Sequence, residues 1–163
     1  MLIGQAVDRM SSFYSGDPKR INHFLKVYAY AKSIGELEEL DSQTQETLEL
    51  AAVLHDIGIK PSEEKYGNCN GPNQEKEGPP IADALMRELG IAPERRERVC
   101  YLIAHHHTYH EMKGLDYQIL VEADFLVNMD EEQLGKKEIK SVEQKIFRTK
   151  AGIALLHRLF GSA

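Results

Sequence analysis

The stretch Leu48-Glu49-Leu50-Ala51-Ala52-Val53-Leu54-His55-Asp56-Ile57-Gly58-Ile59-Lys60 decides how the chain is read. Its apolar, Ala/Leu-rich run has the character of a buried helix. Gly58 can take the left-handed conformation that stops one. His55 and Asp56 then fall on the last turn, at the edge of a core. A carboxylate there is costly unless something positive stands beside it. An imidazole next to a carboxylate suits a divalent metal of intermediate softness. Taken alone, the pair equally fits a histidine that caps the helix and an aspartate that faces water.

Working outward, helical spacing recurs on both sides. Leu2, Ile3, Ala6, Val7 and Met10 predict a first helix over about 2–14, broken at Gly16. Asp17-Pro18 opens a second, running to about Ile34 with Gly35 as its stop. One stripe of it carries Ile21, Phe24, Leu25, Tyr28 and Ala29, and an adjoining one His23, Val27 and Tyr30. Ser42-Gln43-Thr44-Gln45 fits a capping box for the helix that ends at His55-Asp56. The polar segment from Pro61 to Gly78 reads as a long functional loop. Pro79-Pro80 then opens a helix that Gly90 closes. Pro93 opens another, with Val99, Leu102, Ile103 and His106 in phase, ending at His105-His106-His107. The next begins near Asp116 and carries Leu120, Ala123, Asp124 and Val127 on one face. After a charged segment over 130–140, a C-terminal helical region (about 141–160) follows, which Gly152 bends or interrupts. No alternating strand pattern occurs, so the expected fold is all-α, in one domain over 1–163 with its motif-bearing core at about 18–129.

The 163 residues carry 20 Lys and Arg against 26 Asp and Glu, a net charge of −6. Such a balance argues against nucleic acid as a partner. It does not argue against an anionic small molecule, because a bound metal supplies local positive charge. The two cysteines, Cys69 and Cys100, form neither a zinc pattern nor a disulfide framework. With no membrane-spanning stretch and no signal-peptide succession at the N-terminus, a cytoplasmic location is expected. A homo-oligomer is one possible assembly, and the sequence does not specify it.

Asp124 sits where its helix expects an apolar residue. His106 extends an apolar stripe, His107 lies on its edge at i+4 from Ile103, and His23 shares a side with Val27. Four helices therefore each offer His or Asp inward, and a shared cation is an economical explanation. His105, His110 and His157 read as surface residues. Tyr66, Tyr101, Tyr109 and Tyr117 read as core or loop packing.

In this order, His23, His55-Asp56 and Asp124 resemble the signature of the HD-domain superfamily of metal-dependent phosphohydrolases. LAAVLHDIGIK is similar to the family's LLHDIGK segment with one residue inserted before Lys60. ILVEADFLVNM is similar to the segment around its last Asp. The resemblance implies an HD-type helical bundle and one or two divalent ions (Fe, Mn, Zn, Ni, Co or Mg, with Fe or Mn favoured). It extends to the dinuclear bacterial members, diadenosine tetraphosphate hydrolase-like proteins among them. Those carry further ligands, which align with His106 and His107. Their other histidine is replaced here by Glu77, in Glu77-Gly78-Pro79-Pro80. Glu77 fits a ligand as well as it fits an ordinary helix-N-terminal charge.

On this resemblance, Asp56 would bridge two metals. His23, His55 and Asp124 would complete one of them, and Glu77, His106 and His107 the other. With a single metal, His23, His55, Asp56 and Asp124 suffice. Lys60 is either a solvated lysine or a phosphate contact. The expected reaction is hydrolysis of a phosphate ester or anhydride, in a small phosphorylated substrate of the nucleotide class, by metal-activated water. The alternatives are a diiron oxygenase on the same fold and a non-enzymatic metal- or nucleotide-binding sensor module.

Overall fold

A computed structural model describes residues 2–161. Among them are nine helices and no strand. These are α1 (Leu2–Phe13), α2 (Pro18–Leu37), α3 (Ser42–Leu54), α4 (Ile59–Tyr66), α5 (Gly71–Glu88), α6 (Pro93–His105), α7 (Leu115–Glu131), α8 (Lys136–Ile146) and α9 (Lys150–Phe160). The expected all-α class is what is found.

The apolar run makes α3 the central helix. Leu48, Leu50, Ala51, Ala52, Val53 and Leu54 have no exposed surface. A helix apolar all round must be covered all round, and α1, α2, α6 and α7 pack on α3. Burying each larger side chain contributes roughly 1.5–3 kcal/mol. Ala51 and Ala52 keep the neighbouring helices close, so enlarging either would overpack the centre at a cost of about 1–3 kcal/mol. Glu49, the one charge in the run, is buried but held by Lys32 Nζ at 3.2 Å and Gln45 Nε2 at 2.9 Å.

Several sequence expectations are corrected. The helix cap at α3 is Asp41, whose side chain accepts from the backbone N–H of Gln43 and Thr44. Ser42 is already helical. Gly35 does not stop α2, which continues to Leu37. Its missing side chain serves packing instead: a Cβ there would stand 3.1 Å from Leu48 Cδ2. The buried side of α2 is His23, Phe24, Val27, Ala31 and Ile34, which straddles the two stripes read from sequence.

Gly58 is not left-handed either; its φ is −77°. It is a glycine because α5 crosses there, and a Cβ would meet Gln74 O at 2.6 Å. The long loop expected over 61–78 is mostly helix. Pro61 falls in the first turn of α4, where its missing N–H costs nothing. The Asn70 side chain caps α5 through Asn73 N at 3.1 Å. Pro79 and Pro80 lie inside α5 rather than at its start. Helix α5 survives the two lost backbone donors because its far side is packed on α6 and α4.

At the C-terminal end the break falls at Phe147–Thr149, not at Gly152. The fully buried carboxylate of Glu122 on α7 fixes it. Glu122 Oε1 accepts from Gln118 Nε2, Arg148 N and Thr149 N at 2.6–3.0 Å, and Oε2 accepts from Thr149 Oγ1. No helix among the described residues is long and apolar enough to cross a membrane.

Candidate metal centre

The centre forms where α2, the end of α3, the end of α6 and the middle of α7 meet. His55 follows the last residue of α3, and Asp56 lies in the turn toward α4. Two contacts fix that turn. Tyr14 Oη donates to the Asp56 carbonyl at 2.7 Å, and Ile59 N donates to the same oxygen at 3.0 Å.

Four of the expected ligands converge closely. His23 Nε2 lies 3.2 Å from both Asp56 Oδ2 and Asp124 Oδ1. His55 Nε2 lies 3.4 Å from the same two oxygens. On the other side of Asp56, Oδ1 is 3.6 Å from His106 Nε2. His107 joins Asp56 and His106 in a second group whose ligand atoms lie within 4.8 Å of one another.

Each of the three inner histidines is held by its far nitrogen. His55 Nδ1 donates to Ala52 O, and His106 Nδ1 donates to Ile103 O, both at 2.7 Å. His23 Nδ1 is 3.1 Å from Glu131 Oε2. Carbonyls only accept, so His55 and His106 must carry a proton on Nδ1. Nε2 is then the nitrogen that can offer a lone pair to a cation. The approaches of Nε2 to the carboxylates have ion-pair distances without hydrogen-bond alignment. Nε2 of His23, His55 and His106 is thus buried with no hydrogen-bond partner.

Burial opposes protonation of His23, yet Asp124 and Asp56 outweigh it and hold its pKa at about 10. His55 is likewise pushed well above the ordinary value despite its burial, by Asp56 and Asp124. The reciprocal effect holds both carboxyl groups well below the usual range, though burial alone would raise them. Three buried imidazole nitrogens without hydrogen-bond partners around two ionised carboxylates are, once a cation displaces the protons of His23 and His55, a donor set of nitrogen and oxygen that fits a divalent cation. Buried polar groups otherwise find partners.

Not every expected residue takes part. The Glu77 carboxylate is bound by Tyr66 Oη at 2.6 Å and Lys65 Nζ at 3.0 Å, and belongs to neither group. Lys60 turns toward α1, with Nζ 5.4 Å over the Phe13 ring. His105 stacks on Tyr101 and bonds its carbonyl, and His157 pairs with Glu143.

Other residues were missed. Glu131 and Asn128, whose Nδ2 donates to Asp124 Oδ1 at 3.0 Å, lie at i+7 and i+4 from Asp124 on α7. Helical phase alone puts them on its face. Tyr14 follows the buried Met10 at i+4 in the same way. Arg20 and Lys19 are the cations lining the cleft, of about 380 Å³, that opens onto His23 and Asp56. Lys60 lines the neighbouring cleft instead. A larger concavity of about 600 Å³ lies at the opposite end of α3, by Asp41 and Thr44. Its arginines are already engaged, Arg98 with Asp116 and Arg95 with Glu46, so it has no comparable unsatisfied chemistry.

A family model described as HD domain matches residues 20–149. The chain belongs to the HD-domain family. Searches of curated proteins and of solved structures returned no match. The HD-domain family consists generally of metal-dependent phosphohydrolases, and the match takes in every residue of the candidate metal centre from His23 to Glu131. In this HD domain, then, the His/Asp cluster has the composition to hold a divalent metal.

Proposed function

We propose that this HD domain hydrolyses a phosphate ester or anhydride of a nucleotide, with a divalent cation held by His23, His55, Asp56 and Asp124. One observation carries the reading: three buried Nε2 atoms without partners surround two ionised carboxylates. Iron or manganese suits the imidazole and carboxylate donors. Bound there, the cation supplies a Lewis acid for the phosphoryl group and acidifies water.

The chain's own residues do the rest. Ala52 O, Ile103 O and Glu131 orient the imidazoles, as anchors behind ligands do in metal sites. Asn128 holds Asp124. Arg20, at the mouth of the cleft, meets the non-bridging phosphate oxygens, for which a planar guanidinium is well shaped. It is a better candidate than Lys60 because it lines the cleft that His23 and Asp56 line. To reach phosphate it exchanges its present partner, Glu63, 2.5 Å away. Nucleoside polyphosphates, expected from the resemblance to the diadenosine tetraphosphate hydrolase-like members, present several such oxygens.

The test is turnover. Chelator-stripped protein is reloaded with Mn²⁺ or, anaerobically, Fe²⁺, and offered a nucleotide panel with phosphate release as readout. Release that depends on added metal supports the reading. No release from any member of the panel with metal demonstrably bound contradicts it.

A further inference from the structure

The two sides of Asp56 are not equivalent. On the Oδ2 side, His23 and His55 each present a buried Nε2 with no hydrogen-bond partner, and Asp124 completes the set. On the Oδ1 side only His106 does so. The two residues that would complete a second position already have partners. Glu77 is bound by Tyr66 and Lys65.

His107 is satisfied at both ring nitrogens. Nε2 is 3.1 Å from Gln74 Oε1, and Nδ1 is 3.4 Å from Tyr109 Oη. The Gln74 amide cannot turn away at no cost, because its Nε2 donates to Cys69 O at 2.6 Å. Its oxygen therefore faces His107, and His107 Nε2 must carry the hydrogen. Gln74 is itself buried. The same stretch of α5 clasps the backbone: Glu75 Oε1 accepts from His107 N and Thr108 Oγ1, both at 3.0 Å. Gly71 presses on the side chain, where a Cβ would stand 3.0 Å from His107 Cβ and 3.2 Å from its ring Cγ. A cation drawing on either nitrogen of His107 must break a hydrogen bond that already exists.

Resting on the metal-centre reading above, we infer that the centre is asymmetric. His23, His55, Asp56 and Asp124 retain one divalent cation. A second, beside Asp56 Oδ1 and His106, is exchangeable because Gln74 and Tyr109 hold His107 in reserve. Gln74 is thus a positioning residue that sets occupancy of the second position. Any function of the second cation then follows the free metal concentration rather than the protein's history.

Metal stoichiometry tests this without assaying turnover. Protein saturated with Mn²⁺ is passed through a desalting column and analysed for metal, and the weaker equivalent is measured by calorimetric titration. The expected result is one equivalent retained and a second that binds only from solution. In the double variant Gln74→Leu/Tyr109→Phe, the second equivalent should tighten by about tenfold or more, the scale of one or two net hydrogen bonds. Two equivalents retained by the unaltered chain would overturn the inference while leaving the metal centre standing. So would an unchanged second affinity in a variant that circular dichroism shows to be folded. If the variant does not fold, the retained stoichiometry of the unaltered chain decides alone. No equivalent bound under any condition would overturn the metal-centre reading itself.

Discussion

His23 on α2 and Asp124 on α7 meet with Nε2 and Oδ1 3.2 Å apart, and His55 Nε2 reaches the same oxygen at 3.4 Å. Both helices pack on α3 and on one another. The apolar centre of the bundle therefore fixes the candidate metal centre, so loss of a ligand should leave the bundle standing.

Asp56 is the most connected of the proposed ligands, with its two oxygens facing different histidines. Asp56→Ala removes the charge that gathers them. The expected outcome is loss of bound metal and of phosphate release by a factor of 10³ or more, on the order of a catalytic metal's several kcal/mol. Helical circular dichroism should persist, because the bundle does not depend on that carboxylate. Activity with metal still bound would contradict the ligand assignment.

Glu131 acts behind His23. Glu131→Ala leaves Nδ1 of His23 without its anchor. Metal affinity should fall about 10–100-fold, the usual cost of losing such a partner. Glu131→Gln, which can still accept from Nδ1, should recover part of it. Competition with a chromogenic chelator measures both.

Arg20 and Lys60 can be told apart by kinetics. Arg20→Ala should raise KM by about tenfold, as a charge-assisted hydrogen bond to phosphate is lost. Lys60→Ala should change it less than twofold by the same reasoning, since its ammonium lies over Phe13. The reverse order would restore the lysine expected from sequence and displace the arginine.

Acidity enters through the histidines. In chelator-treated protein His23 holds its proton up to about pH 10, against an ordinary value of 6.5. Between those values the folded chain binds more protons than the unfolded one. Its stability must then fall as pH rises through that window. Below pH 6.5 this contribution is fully present. Reloading with metal should flatten the dependence, since a cation replaces the proton, and metal affinity should rise over the same window. Thermal unfolding with and without chelator, from pH 6.5 to 10, measures it. Stability that climbs with pH in the stripped protein would contradict the arrangement.

How far the sequence could be read follows from what each signal encodes. His106 and Asp124 fall in apolar stripes, so helical phase turns them inward, whereas His55 and Asp56 end an apolar run and phase alone leaves them at the edge of the core. His23 shares a side with Val27, and the family pattern singles it out, although the buried side of its helix straddles the two stripes. Gly35 and Gly58 misled because a glycine that ends a helix and one that admits a neighbouring helix look identical in one dimension. The segment over 61–78 misled because its prolines sit in first turns or in a helix held by packing, and tertiary contacts override local propensity there. With α5 mistaken for loop, Gln74 had no face to lie on. Glu77 and Lys60 were placed by resemblance alone, and hydrogen bonds to Tyr66 and packing on Phe13 leave no trace in spacing.

Glu122 lies two residues before Asp124 on α7 but on another face of it, where its carboxylate binds Gln118, Arg148 and Thr149 and none of the histidines, so it offers a structural control. Glu122→Ala leaves the backbone donors of Arg148 and Thr149 without their acceptor. It should cost about 3 kcal/mol or more, from several buried donors at roughly 1–3 kcal/mol each. Metal retained by the surviving folded fraction should be unchanged. Urea unfolding and elemental analysis check the two halves.

The most direct measurement of the central claim is the position of the metal itself. Crystals grown with Mn²⁺ and measured above the manganese absorption edge should show a strong anomalous peak bounded by His23 Nε2, His55 Nε2, Asp56 and Asp124. A strong peak elsewhere in the molecule, with none among those four side chains, would contradict the account.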